Sequence, residues 1–267
     1  MQTEDATGYG REPEEQFQPL PAGLAASFYR LATTHLHDGL YYRRALTQHR
    51  CRRVLELGCG TGRISDYLAR SGFAVVGIDI SPAMLEDPHR QRLVPVAQMD
   101  MCRLGFQSRF DAAIIAWNTL NLLGHKEAIR SCLAEVRTVL VPGGLLLLHL
   151  FVPDQHLIDH PGQRFFQFAL FDLPTGGRLI KETLRSYDPS AESLLLEERY
   201  KLRCLPNDRA NENYRHYHHL AAYPAAAWLD LLHHSGFTVS TRHTSFDATP
   251  YRNNEQSTLL VTASKTT

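Results

Sequence analysis

The chain has 267 residues, 43% apolar and 21% charged, enough to bury the core of one large domain or of a domain with a substantial insertion. Its 28 lysines and arginines equal its 28 aspartates and glutamates, and this zero net charge argues against a nucleic-acid partner, whose phosphates call for a basic surface. No apolar run approaches the roughly 18 residues of a membrane span, so no membrane partner is expected. The polar start MQTEDATGYGREPEEQ does not read as a signal peptide, and Cys51, Cys59, Cys102, Cys132 and Cys204 form no C-x-x-C pair, as expected of reduced thiols in a cytoplasmic protein.

Residues 1–21 are expected to be a flexible tail. Over 22–50, Leu24, Phe28, Leu31, Leu36 and Leu40 recur at helical spacing and predict one or two helices. A βαβ alternation follows. Val54–Leu57 is a short apolar strand running into Gly-Cys-Gly-Thr-Gly, Ile64–Ala69 continues as a helix, and Ser71-Gly72 stops it. Phe73–Ile78 is the second strand, and Ser81-Pro82 starts a helix with serine as N-cap and proline at the first position. Leu93–Gln98 and Phe110–Ala116 are the third and fourth strands, and His125–Leu140 is a helix with Ile129, Leu133, Val136 and Leu140 on one face. Pro142-Gly143-Gly144 turns into a fifth strand, Leu145–Phe151, whose unbroken apolar run fits a parallel strand covered on both sides. The pattern then changes. Residues 164–221 alternate with period two between turn signals at Thr175-Gly176-Gly177, Asp188-Pro189-Ser190 and Pro206-Asn207-Asp208, which predicts an antiparallel insertion over 153–221. Pro224–His234 is a last helix, and Phe237–His243 and Thr258–Ala263 are the last strands, so 51–152 and 222–267 form one core.

The strongest chemical signal is Val54-Leu55-Glu56-Leu57-Gly58-Cys59-Gly60-Thr61-Gly62. A glycine-rich turn between a parallel strand and a helix lets backbone approach a ligand. Asp79 lies 19 residues past Gly60 at the carboxyl end of the second strand, where an acid binds the ribose hydroxyls of an adenosine. A dinucleotide enzyme would carry G-x-G-x-x-G with a pyrophosphate on the helix N-terminus. The order here is G-x-G-x-G.

These residues resemble the class I S-adenosylmethionine-dependent methyltransferase family. LELGCGTG is similar to its first motif, with Gly58, Cys59, Gly60 and Gly62 at the turn. GIDISPAML (77–85) resembles the second, which implies Asp79 on the ribose, with Ile80 beside it and Met84 as an apolar wall of adenine. Gln98-Met99-Asp100-Met101 resembles the third, which implies Asp100 and Met101 beside the adenine ring. FDAAIIAWNTLNLL (110–123), with Trp117, and LVPGGLLLLHLF (140–151) resemble the fourth motif and the strand after it. The resemblance covers roughly 24–151 and 224–264. It implies a seven-stranded, mostly parallel Rossmann-like α/β sheet with helices on both faces, and S-adenosyl-L-methionine as cofactor. It also implies an N-terminal helical lid, from which Tyr29, Tyr41, Tyr42 and Arg43 would contact the methionine end. The chain departs from the family after Met84-Leu85, where Glu86-Asp87-Pro88-His89-Arg90 should end the helix early, leaving only 16 residues between Met84 and Asp100.

Trp117-Asn118-Thr119-Leu120 replaces the Asn/Asp-Pro-Pro-aromatic sequence of nucleobase methyltransferases. The insertion and the C-terminal segment look like those of bacterial small-molecule methyltransferases of natural-product pathways. The expected acceptor is therefore a small molecule, methylated on nitrogen, with oxygen or carbon as alternatives. An RNA or protein methyltransferase and an inactive cofactor-binding regulator are the other readings. If a proton must be removed, histidine is the natural base. His149 ends the fifth strand, and alternation puts His216 and His218 on one face of the insertion, which carries many aromatics and offers a wall for the acceptor on one face and a homodimer contact on the other. His35-x-His37 and His233-His234 lack matching carboxylates, so no metal is expected.

Overall fold

The computed structural model describes residues 15–88, 93–106, 109–174, 176–206 and 210–266. Most of the expected tail, His89-Arg90, and the turn residues Thr175, Asn207 and Asp208 lie outside the described residues. In chain order the elements are β1 (Gln18–Pro19), α1 (Ala22–Ala32), α2 (His37–Gln48), β2 (Arg53–Leu57), α3 (Arg63–Arg70), β3 (Ala74–Asp79), α4 (Pro82–Leu85), β4 (Val96–Gln98) and β5 (Phe110–Ile115). A 3-10 turn (Thr119–Leu123), α5 (Lys126–Val139), β6 (Leu140–Phe151) and α6 (Gln155–Asp159) follow. Then come β7 (Phe165–Asp172), β8 (Arg178–Asp188), β9 (Ser193–Arg203), β10 (Glu212–Ala221), α7 (Ala225–His234), β11 (Phe237–His243) and β12 (Thr258–Lys265).

Seven strands form one sheet in the order β11-β12-β6-β5-β2-β3-β4. All neighbours from β4 to β6 are parallel, and β12 is antiparallel to both β6 and β11. Adjacent residues on each strand go to opposite cores. Val54, Ala112, Ile114 and Leu147 meet Tyr42 and Leu46 of α2 and Ile64 and Leu68 of α3. Leu55, Ala113, Ile115 and Leu148 meet Ile129 and Val136 of α5 and Trp228 of α7. Helices on both faces explain the unbroken apolar runs. The order reverses at β2, between β3 and β5, so a ligand crevice is expected beyond the carboxyl ends of those strands.

Two strands start more than two residues away from expectation. β4 starts at Val96, because Pro95 has no N–H to give to a ladder. β6 starts at Leu140, because Pro142-Gly143-Gly144 is carried within the strand as a register shift against β5. The expected early end of α4 is observed. The Ser81 hydroxyl accepts from Met84 N–H at 3.4 Å and the helix stops at Leu85.

The second sheet has the order β1-β10-β9-β8-β7, antiparallel except for β1. The flexible-tail expectation is corrected at its end. Gln18–Pro19 pairs with Tyr214–Arg215, Glu15 forms ion pairs with Lys201 and Arg203, and Phe17 lies under Arg199 and Arg215. Those partners come from distant strands, which is why local sequence did not reveal the pairing. The short α6, capped by Asp154 on Leu157 N–H at 2.9 Å, is likewise too brief to show periodicity.

The inward face of this sheet is apolar at both ends. At one end Leu179, Tyr200 and Leu202 pack on α1 through Phe28, whose ring lies 5.1 Å from that of Tyr200. At the other, Tyr187, Leu194 and Leu220 pack on Phe151 and Leu157. Asn121, fully buried, bolts the two sheets together. Its amide donates to Phe151 C=O at 3.0 Å and Ala221 C=O at 2.7 Å and accepts from Phe151 N–H at 3.1 Å. Asn121→Leu keeps the volume but strands those backbone groups, and should cost about 3 kcal/mol in guanidinium unfolding. An unchanged midpoint would show that the bolt carries no stability.

Candidate active site

β2 delivers the chain into Gly58-Cys59-Gly60-Thr61-Gly62 at the switch point, and α3 begins one residue later. Gly58 has φ +72°, and a Cβ there would come 2.3 Å from the Thr119 methyl group. Gly60 has φ +53°, but the space its Cβ would fill is open apart from Tyr29 at 3.9 Å. The first glycine is thus required by the protein's own packing, and the second leaves room for a ligand. Cys59 donates its N–H to Ile78 C=O at 2.8 Å and its thiol to Gly60 C=O at 3.9 Å, with the sulfur lying against Gly77.

Asp79 closes the turn. One carboxylate oxygen accepts from Gly60 N–H at 2.7 Å and the other from Ser81 N–H at 2.9 Å. Each oxygen retains a lone pair, and the residue is half-buried. Beside it Ile80 is 66% exposed, which an apolar ring laid against the turn would explain. Met84 is partly buried on α4, and Asp100 and Met101 follow β4. Asp100 caps Cys102 N–H at 2.8 Å, while Met101 packs on the core. A ribose acid with spare lone pairs, an open glycine and an uncovered apolar rim fit an adenosine group.

The opposite side of the turn is organised by Asp38, 2% exposed. It accepts both arms of the Arg63 guanidinium, one at 2.8 Å, together with the Trp117 indole N–H at 2.6 Å and Gly39 N–H at 2.7 Å. Burial opposes its charge, but these donors outweigh burial and hold the carboxyl below its ordinary range. Arg63 also donates to His35 C=O at 2.6 Å and lies 5.6 Å from the Trp117 ring centre. Trp117 and Asn118 both take left-handed backbone, φ +51° and +59°, a strain that typically marks a functional site and that the Asp38 contact helps hold. Behind Trp117, at 5.7 Å between rings, stands His149. It is 6% exposed, edge-on to Phe246, and its Nδ1 is buried with no partner among the described residues. Burial pulls its pKa down to about 4, so it is neutral at pH 7. Glu56, fully enclosed on β2 and bonded by the Ser65 hydroxyl, is also protonated at pH 7, because burial pushes it up to about 8.

The structure brings Gly58, Gly60, Asp79, Tyr29, Trp117 and His149 together around the crevice. Tyr41 sits behind it, its hydroxyl tied to His243 Nδ1 at 3.0 Å. Arg43 is corrected. It is one position past the inward-facing Tyr41 and Tyr42, so the helix turns it outward to lie 5.9 Å from the Tyr67 ring centre. Arg63, the partner of Asp38, directly follows the glycine motif, a signal that was available. Asp38 lies in no motif. His216 and His218 adjoin each other at 4.4 Å on the inward face of β10, and His218 contacts Glu198 at 3.3 Å. Among the described residues no three His, Cys, Asp or Glu side chains gather as a metal site would need.

Asp79→Ala should weaken binding of S-adenosyl-L-methionine by about 1.5–3 kcal/mol in calorimetry while the fold survives, and unchanged affinity would remove Asp79 from the site. Asp38 supplies a pH test. Its depressed pKa means its stabilisation is present above about pH 4, the value of a free aspartate, and is lost as pH falls through the folded value. Asp38→Asn should lower Tm at pH 7 and flatten the fall in Tm below pH 4. Parallel melting curves for the two proteins would contradict this.

Residues 54–144 match the family described as Methyltransferase domain. A putative methyltransferase of Bacillus subtilis is 40% identical over 100 residues, covering 36% of this chain and 40% of that protein. The chain spans 40%, 48% and 53% of the length of three curated relatives it matches. The fold matches solved structures end to end. The amino pentose methyltransferase CalS10 of Micromonospora echinaspora has a TM-score of 0.73 at 20% identity, covering 96% of this chain and 100% of that one. The sugar N-methyltransferase KedS8 of Streptoalloteichus has 0.74 at 17%, covering 100% and 99%. With the glycine turn, Asp79 and the sheet order already in place, these matches show that the chain carries a class I, S-adenosyl-L-methionine-dependent methyltransferase domain.

Proposed function

We propose that the whole chain is a small-molecule methyltransferase acting on nitrogen, in a cytoplasmic pathway of bacterial natural-product biosynthesis. The weak basicity of His149 carries the choice of atom. It reaches the carboxyl end of β6 beside the crevice, yet burial holds it at about 4, far too weak a base to store a proton from a hydroxyl or an acidic carbon at pH 7. A neutral amine needs no such base. The sugar N-methylation named for KedS8 points the same way by architecture alone.

S-adenosyl-L-methionine supplies an electrophilic methyl group when bound. The chain's part is positioning. Asp79 and the backbone of Gly58–Gly60 orient the adenosine, and α1, through Tyr29 and Phe28, closes the crevice against water. His149 Nδ1 accepts a hydrogen bond from the acceptor, and the second sheet, with His216 and His218, acts as the acceptor-side lid. Its outward face leaves Phe166 and Phe168 of the edge strand 55% and 64% exposed, and we place the homodimer contact there.

With methyl-labelled cofactor, the carbon shift of the product should report an N-methyl group. His149→Ala should raise the acceptor KM and fall well short of the roughly 10²–10⁴-fold loss of kcat expected for a missing base. An O- or C-methyl product together with such a kcat loss would overturn the reading.

A further inference from the structure

Between its two apolar ends, the inward face of the second sheet is polar. Strand register sets out three rungs there. Ala169, Lys181, Tyr200 and Tyr214 form one, Gln167, Thr183, Glu198 and His216 the next, and Phe165, Arg185, Leu196 and His218 the third. The carboxylate on this strip, Glu198, is fully engaged. Lys181 pairs with it at 2.5 Å, the Tyr200 hydroxyl donates at 2.8 Å and His218 stands at 3.3 Å. Burial opposes its charge, but those partners hold it down at about 2.

Arg185 is different. It shares the face with Tyr187, which is packed with Phe151 against the carboxyl end of β6, and His149 is two residues before Phe151 on the same side of that strand. Its rung neighbours Phe165 and Leu196 are partly buried in the same apolar cluster. Among the described residues its buried Nε has no hydrogen-bond partner, and no carboxylate lies within ion-pair distance of it. A half-buried guanidinium with an unmatched, inward N–H is costly unless something binds it. Glu198 cannot, since its donors are already supplied.

We infer that Arg185 is the specificity residue for the acceptor and binds a carboxylate on it, so that the substrate is an amine bearing a free carboxylic acid. This rests on the acceptor-side reading of the second sheet given above. A planar guanidinium offering Nε–H and one Nη–H matches the two oxygens of a carboxylate, a geometry that lysine cannot reproduce. The acid end would sit at the β6 side of the strip and the amine over the carboxyl ends of β5 and β6, which fixes the direction in which the acceptor enters.

The test uses the full chain and acetate as probe. The arginine Nε–H signal of Arg185, identified by its loss in Arg185→Lys, is followed while acetate, acetamide or inorganic phosphate is added at constant ionic strength. Acetate should shift it saturably, acetamide should not, and phosphate should bind more weakly. Arg185→Gln should lose at least about tenfold in acetate affinity, read on neighbouring amide signals, with cofactor affinity unchanged. In turnover, carboxylate forms of an amine should have a KM at least about tenfold below their carboxamides, a preference that Arg185→Gln abolishes. No saturable acetate shift, tighter binding of phosphate, or equal use of acids and amides would each overturn the assignment. Acetate binding is read without methyl transfer, so its failure leaves N-methylation standing. An O- or C-methyl product would overturn N-methylation without touching the acetate result.

Discussion

The site depends on one buried carboxylate. Asp38 is nearly free of solvent, and a charge in that position survives only with several donors around it. Those donors come from three separate elements: Gly39 from its own helix α2, Arg63 from the start of α3, and Trp117 from the end of β5. Satisfying Asp38 therefore fixes where α2 lies, how α3 leaves the glycine turn, and how the chain bends after β5. The left-handed Trp117-Asn118 pair is strain that the rest of the fold must hold, and the indole contact is one of the things that holds it. Removing any one donor exposes the others to the same penalty, so the network behaves as a unit.

Around that charge the crevice floor is neutral by burial. Glu56 is protonated and bonded by Ser65, and His149 is deprotonated beneath Trp117 and Phe246. The two shifts have one cause, loss of solvent, acting on groups of opposite charge type. Beside the turn the charge of Asp38 is balanced by Arg63. Such a floor binds by shape and directed hydrogen bonds more than by net field, as suits chemistry that asks for positioning.

The sheet was legible because parallel strands covered on both faces leave unbroken apolar runs, and the turn was legible because Gly58, Gly60 and Asp79 follow a fixed spacing. The second sheet was legible as alternation, down to His216 and His218 sharing a face. What stayed hidden depends on distant partners. Gln18–Pro19 pairs with a strand nearly two hundred residues on, Asp38 looks like any polar residue in HLHDG, and Asn121 gives no sign that it joins Phe151 to Ala221. Arg43 failed for a simpler reason. A helix turns about 100° per residue, so Arg43, about 200° on from Tyr41, points away from the side that Tyr41 and Tyr42 bury.

The two sheets divide the work along the line Asn121 bolts. On the main sheet each site residue is also a structural one. Gly58 cannot accept a side chain because of Thr119, and Asp79 holds Gly60 and Ser81 whether or not a ligand is present. A side chain at Gly58 would damage turn and fold together, whereas loss of the Asp79 carboxylate would loosen the turn within a surviving fold. The polar strip of the second sheet is built differently. Its apolar ends, on Phe28 and on Phe151, carry the docking, so the residues between them are free of that duty. Thr183, Arg185, His216 and His218 lie outside both clusters. Within that strip Glu198 is ion-paired with Lys181, whereas Arg185 has no ion-pair partner among the described residues. Selectivity in such a site follows from the group left unpaired, because a partner that fails to match it leaves a buried donor unsatisfied.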